Sequence, residues 1–150
     1  MKLRPLDFHA RFSAKKRVYR YVITQKPITP FNARYVTYVE KIDVKKIQEA
    51  IECFVGIHDF EYFHKMGSDK HRFFKEIFEA KFYAYKENYI FKFKANSYLR
   101  SQIRLMVGFL LDISSGKRTI KELQEQLEKK KRIHFKPVDG FGLYLAKVIY

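Results

Sequence analysis

YIFKFKANSYLRSQIRLMVGFLLDI, residues 89–113, changes its period halfway along. In its first seven residues Tyr89, Phe91, Phe93 and Ala95 alternate with Ile90, Lys92 and Lys94, the two-residue repeat of a strand. From Ser97, a residue suited to capping a helix, the spacing changes. Leu99, Ile103, Met106, Val107 and Leu110 then fall on one helical stripe. A strand therefore leads into an amphipathic helix that ends near Gly116. Arg100 and Arg104 lie one turn apart at the edge of the stripe. A cation beside a buried face is costly unless it reaches solvent or meets an anion. Composition leaves both outcomes open for Arg104.

Upstream, residues 74–85 read as a strand joined to 89–95 by a tight turn at 86–88. Residues 1–13 contain Pro5 and little periodicity, which gives an extended entry segment. RVYRYVIT, 17–24, is β-branched and aromatic, hence a strand that Pro27 and Pro30 bring to an end. Residues 32–39 are irregular or briefly extended. Asp43 caps a helix over 44–55 that Gly56 stops, and the stretch to about His71 is irregular. Downstream, Thr119 with Glu122 forms a capping box for a helix to about Lys130. The run 129–132 forms its solvated, dipole-complementing end. Residues 143–149 form a last strand. The order β-α-β-β-α-(α)-β predicts a single α+β domain over 1–150, ferredoxin-like, with helices on one face of an antiparallel sheet.

A length of 150 residues supports one real core, and 47% hydrophobic content argues against disorder. The apolar run near 106–111 is too short to span a membrane, and the first residues lack an apolar signal core, so a cytoplasmic location with no membrane partner is expected. Cys53 is the sole cysteine and reads as a buried structural thiol. A net charge of +15 with 17% aromatics favours a polyanion such as RNA, although most of the Phe residues read as core. YIFKFKAN lacks the glycines of an RNA-recognition motif. His58, His64 and His71 lack metal-ligand spacing, and no Walker loop, dinucleotide-binding glycine motif or nucleophile elbow is present.

Four stretches in order carry a more specific signal: DFHARFSAKKRVYRYVI (7–23), GIHDFEYF (56–63), KANSYLRSQIRLMVGFLLDI (94–113) and GLYLAKVIY (142–150). Together they resemble the C-terminal half of the tRNA pseudouridine synthase A family, across essentially the whole chain. The resemblance implies isomerisation of uridine to pseudouridine at positions 38 to 40 of the tRNA anticodon stem-loop. It also implies no cofactor or metal, a homodimer, and an N-terminal half whose sheet joins this one around a cleft. The family nucleophile is the Asp of a G-R-T-D-A-G motif in that other half. No Asp here, from Asp7 through Asp43, Asp59, Asp69 and Asp112 to Asp139, follows Arg-Thr, so the chain alone is expected to be inactive.

Carried over by position, Tyr19 matches the Tyr that packs against the target base, a surface that a flipped base requires. Arg104 matches the Arg that pairs with the catalytic Asp, and Leu143 matches an apolar active-site residue. The segment Phe8, His9, Arg11 and Phe12 matches one that contacts tRNA, and Gly67, Ser68, Asp69, Lys70 and His71 match a second. Lys26, Arg34 and Tyr38 are further basic or aromatic candidates. Two other readings stay open: a stand-alone basic RNA-binding domain without catalysis, and a generic ferredoxin-like interaction module. A bare strand edge in the isolated half would favour self-association.

Overall fold

The computed structural model describes residues 15–65, 73–134 and 136–150. Among them the chain forms a mixed α+β structure with a sheet of six strands and three α-helices. The strands are β1 (Lys16–Thr24), β2 (Thr37–Tyr38), β3 (Gly56–Asp59), β4 (Phe74–Tyr85), β5 (Asn88–Ala95) and β6 (Leu143–Ile149). The helices are α1 (Val44–Ile51), α2 (Gln102–Ser114) and α3 (Ile120–Leu127).

β1 is the central strand. It runs antiparallel to β5 in an unbroken register from Arg17 opposite Ala95 to Thr24 opposite Asn88. Its other edge is divided: β6 pairs antiparallel with Lys16 through Tyr21, and the two residues of β2 pair parallel at Ile23 and Thr24. β4 and β5 form the expected hairpin, with Lys86 supplying the positive φ of 54° that the tight turn needs. β3 adds a strand beyond β4 in a stretch that the sequence leaves irregular. Four residues starting at a glycine give too short a pattern to show a period, so pairing with β4 decides their state.

The alternation along β1 and β5 sends Tyr21, Ile23, Phe91, Phe93 and Ala95 inward, all fully buried. Against them pack Ile47, Ala50 and Ile51 of α1 and Ile103, Met106, Val107 and Leu110 of α2. Phe54, Phe60 and Phe63 complete the core in the 3-10 turns around β3.

The cap predictions at Asp43 and Thr119 hold: Asp43 accepts from the Lys46 amide at 3.1 Å, and Thr119 and Glu122 form a reciprocal capping box. The helix expected from Ser97 begins later. Asn96 Oδ1 takes the Ser97 amide at 2.8 Å, and Gln102 Oε1 takes the Leu99 amide at 2.8 Å. These side chains fold 96–101 into a loop, and α2 starts after Ser101, which has a left-handed φ of 61°. Arg100 therefore lies outside the helix, and Arg104 is on it alone.

α2 is also buried on more than one stripe, with Leu105, Gly108 and Phe109 enclosed as well. Residues 133–134 and 136–138 cross its back. A Cβ on Gly108 would stand 2.7 Å from His134 Cε1 and 3.2 Å from the Lys136 carbonyl oxygen, so only glycine admits this approach. The fully buried Gln126 of α3 holds residues 133–134. Its Nε2 donates to the Tyr62 and His134 carbonyls at 3.0 and 2.8 Å, and its Oε1 accepts from the Ile133 and His134 amides, both at 2.7 Å. Lys129, expected in a solvated helix end, instead bonds Asp59 at 3.1 Å and Glu61 at 2.8 Å. Cys53 is half-buried, and burial raises its thiol pKa.

Burial pushes the His134 imidazole below its usual range, outweighing the attraction of Asp112 at 3.6 Å, and Arg118 pushes it the same way. The folded state thus prefers the neutral ring, so stability is full above the unfolded-state pKa and falls as pH drops below it. A melting temperature that declines between about pH 7 and pH 5, with a shallower decline in His134→Gln, is the expected result. Parallel curves for the two proteins would show that His134 contributes nothing.

Candidate active site

Tyr19, Arg104 and Leu143, far apart in sequence, line one cavity of about 130 Å³ together with Tyr98, Leu99, Ser101, Gln102 and Ile103. β1 contributes Tyr19, the first turn of α2 contributes Arg104, and the start of β6 contributes Leu143. β1 and β6 are hydrogen-bonded neighbours, and Tyr19 is in register with Leu145 and Tyr21 with Leu143.

Tyr19 meets Tyr98 edge-to-face, with ring centroids 5.0 Å apart and planes at 87°. Tyr98 is itself anchored, its hydroxyl shared between the Arg17 carbonyl at 3.0 Å and the Phe93 carbonyl at 2.9 Å. Burial, reinforced by neighbouring Tyr19, pushes the Tyr98 phenol far above its usual range, so it stays a neutral donor. The ring at position 19 is thereby braced from the side and stays partly exposed at the cavity.

Arg104 is held by main chain. Its Nε donates to the Val138 carbonyl at 2.6 Å, and its own carbonyl accepts from the Val138 amide at 3.2 Å. Gly140 lies beside the guanidinium, where an added Cβ would be 3.9 Å from Cζ. Among the described residues no carboxylate comes within ion-pairing distance of Arg104. The terminal nitrogens of a side chain oriented through Nε alone can still bind a carboxylate with two parallel hydrogen bonds.

The loop 138–142 is fixed in turn by β1 and β2. The Tyr21 hydroxyl donates to the Asp139 carbonyl at 2.7 Å and touches Thr37 Oγ1 at 2.8 Å, while Thr37 donates to Asp139 Oδ1 at 2.8 Å. Burial drives the Tyr21 phenol far up, and the Asp139 charge adds to this, so it too remains a proton donor. Gly142 fits where nothing larger could: a Cβ would come 2.5 Å from the Val22 carbonyl oxygen. Its own carbonyl takes the Val22 amide at 2.8 Å. The chain linking Tyr21, Thr37, Asp139 and Val138 thus sets the position of Arg104 from one side and of Leu143 from the other.

Tyr21→Phe should therefore cost about 0.5–1.5 kcal/mol of stability, because it removes the hydroxyl's bonds to the Asp139 carbonyl and Thr37. Urea unfolding measures that cost. An unchanged midpoint would mean that the loop finds another partner.

None of these supports was visible in the sequence. Tyr98 could have been suspected from its place just before the helix, but Asp139 and Thr37 meet Tyr21 only through the fold. Residues Phe8, His9, Arg11 and Phe12, and Gly67 through His71, lie outside the described residues. Lys26 pairs with Glu87 at 2.7 Å on the surface, away from the cavity. Among the described residues no group of His, Cys, Asp and Glu converges as a metal site, and no helix is long and apolar enough to cross a membrane.

A family model described as tRNA pseudouridine synthase matches residues 50–150. The chain belongs to that family of RNA-modifying proteins. Among its curated relatives, the protein named tRNA pseudouridine synthase A from Wolinella succinogenes is 43% identical over 93% of this chain. The protein of the same name from Campylobacter jejuni strain RM1221 is 44% identical over 96%, and that from Helicobacter hepaticus is 38% identical over 95%. The alignments cover 55%, 60% and 58% of those relatives respectively, so the chain spans under two thirds of the length of the proteins it matches.

Proposed function

We propose that this chain is the C-terminal half of a tRNA pseudouridine synthase A, isomerising uridine to pseudouridine at positions 38 to 40 of the tRNA anticodon stem-loop. Its contribution to the active site is Tyr19, Arg104 and Leu143, and the nucleophilic carboxylate comes from a partner half. The observation that carries this reading is the meeting of those three side chains on one cavity, with a guanidinium oriented by backbone and facing no described carboxylate.

The chemistry follows from the parts. A carboxylate seated on the Arg104 fork is kept ionised and aimed. The Tyr19 ring gives the flipped uracil a stacking surface while the base detaches and turns. Leu143 covers the cavity and limits access of water to the intermediate. Among the described residues β6 pairs only with β1, so its free edge is the natural seam for the partner sheet. The spatial order β6-β1-β5-β4, with helices between β1 and β4 and between β5 and β6 and a hairpin joining β4 to β5, supports a ferredoxin-like half. Contacts with tRNA through Phe8, His9, Arg11, Phe12 and 67–71, assembly as a homodimer, and a cytoplasmic location belong to the same reading.

The test supplies an anticodon stem-loop to the chain alone and to the chain combined with the N-terminal half of a relative carrying the Arg-Thr-Asp motif. Pseudouridine should form only in the second case. Turnover by the chain alone would overturn the division of the site. A combination that binds RNA without turnover would favour the non-catalytic RNA-binding reading.

A further inference from the structure

The face of the sheet turned away from the helices carries a pattern the cavity does not use. Across β1, β5 and β4 the register places Arg20 opposite Lys92, and Lys92 opposite Lys81. Lys94 follows one pleat along β5. Like charges directly opposite one another across strands repel, so the fold bears a cost in keeping this ladder. Glu79 offsets part of it, its Oε1 2.9 Å from Lys92 Nζ. Among the described residues Arg20 and Lys81 have no carboxylate within ion-pairing distance. Next to the ladder on the same face is a groove of about 480 Å³ whose lining includes Arg20, Val22, Tyr35, Tyr85, Ile90 and Tyr144. Tyr35 and Tyr85 are 58% and 56% exposed.

We propose that this outer face binds an unpaired stretch of RNA, with its phosphates along Arg20, Lys92, Lys81 and Lys94 and a base against the tyrosines of the groove. Cations that follow a backbone beside rings that accept any base are the two components of single-strand binding. A second copy of the chain docked here would set ladder against ladder, and the net charge of +15 opposes that. Arg20 and Tyr19 are neighbours on one strand and so point to opposite faces, which makes this surface separate from the cavity. It requires no part of the catalytic reading.

The test measures binding of the chain to a fluorescent oligouridylate of about 12 nucleotides over roughly 50 to 300 mM KCl. The variant Arg20→Gln/Lys81→Gln/Lys94→Gln keeps the Lys92–Glu79 pair. At about 0.7 of log–log slope per phosphate contact, it should lower the salt dependence by about 2 and the affinity near 0.1 M by about 100-fold. Tyr85→Ala should bind about tenfold more weakly with an unchanged slope, since it removes stacking and no charge. Wild-type binding by both face variants would overturn the proposal. So would a change from dimer to monomer in the triple variant with RNA affinity intact, which would make the face an interface between copies. Loss of binding in Arg104→Ala alone would place the RNA at the cavity, leaving the catalytic reading standing and this one overturned.

Discussion

Arg104→Ala in the enzyme completed by its partner half should lower the rate of pseudouridine formation by roughly 10³-fold while tRNA affinity stays within a few-fold. A carboxylate enclosed in the cleft without its guanidinium must protonate, reorient or bear an uncompensated charge, and removing one partner of such a pair costs about 3–5 kcal/mol. Because the Arg104 carbonyl and the Val138 amide still bond at 3.2 Å through backbone, the loop 138–142 keeps one of its two ties to α2. The defect should therefore appear in the chemical step and leave folding largely intact. Arg104→Lys provides a finer measure. It preserves the charge but loses both the Nε bond to Val138 and the planar fork, so it should recover only part of the rate. Single-turnover assays at saturating enzyme read the step directly. Wild-type turnover in Arg104→Ala would remove Arg104 from the mechanism.

The largest expected effect on stability is at Phe54. Its ring meets Phe63 edge-on at 5.4 Å and Phe93 at 6.4 Å, and it stacks on Phe60 at 6.4 Å, with no exposed surface. Phe54 comes from the turn after α1, Phe60 and Phe63 from the segment around β3, and Phe93 from β5, so one side chain joins three parts of the core. Truncation to Ala removes about 3–5 kcal/mol through lost burial and the remaining cavity. A domain of this size has only about 5–15 kcal/mol in total. Equilibrium urea unfolding should show a large drop in midpoint for Phe54→Ala, and a cost nearer 1.5 kcal/mol for Phe54→Leu, which keeps most of the volume. Equal midpoints for Ala and wild type would mean that the cluster collapses around the vacancy.

The elements readable in the sequence are those whose signal is local. Strict alternation marked β5 and, with its turn, the hairpin to β4; Thr119 with Glu122 marked the start of α3; and the residues after Gly142 marked β6. What escaped was decided by partners distant in the chain. Residues 32–39 read as irregular or briefly extended, and which part extends, Thr37 and Tyr38, is decided only by the edge that β1 leaves them. Ser97 has the chemistry of a cap, but the side chains of Asn96 and Gln102 satisfy the local amides first and delay the helix. Gln126 looks like any polar residue on an exposed helix, yet it is fully buried and makes four hydrogen bonds to backbone. The candidate site divides in the same way. Tyr19, Arg104 and Leu143 could be named from the four matched stretches, whereas the supports at Tyr98, Thr37 and Asp139 needed the fold.

The divided edge of β1 has a consequence for how the chain acquires its structure. β6 follows every other described strand, and it closes onto the first of them, so the pairing with the longest sequence separation is the one that completes the cavity. Such a closure carries the greatest loop entropy and tends to come late. The hairpin of β4 and β5 and the helices can assemble beforehand, but Tyr19 and Leu143 meet only when the final strand docks. A chain in which β6 has yet to dock would hold a core without the completed cavity, so the cavity depends on the most sequence-distant pairing of the described sheet.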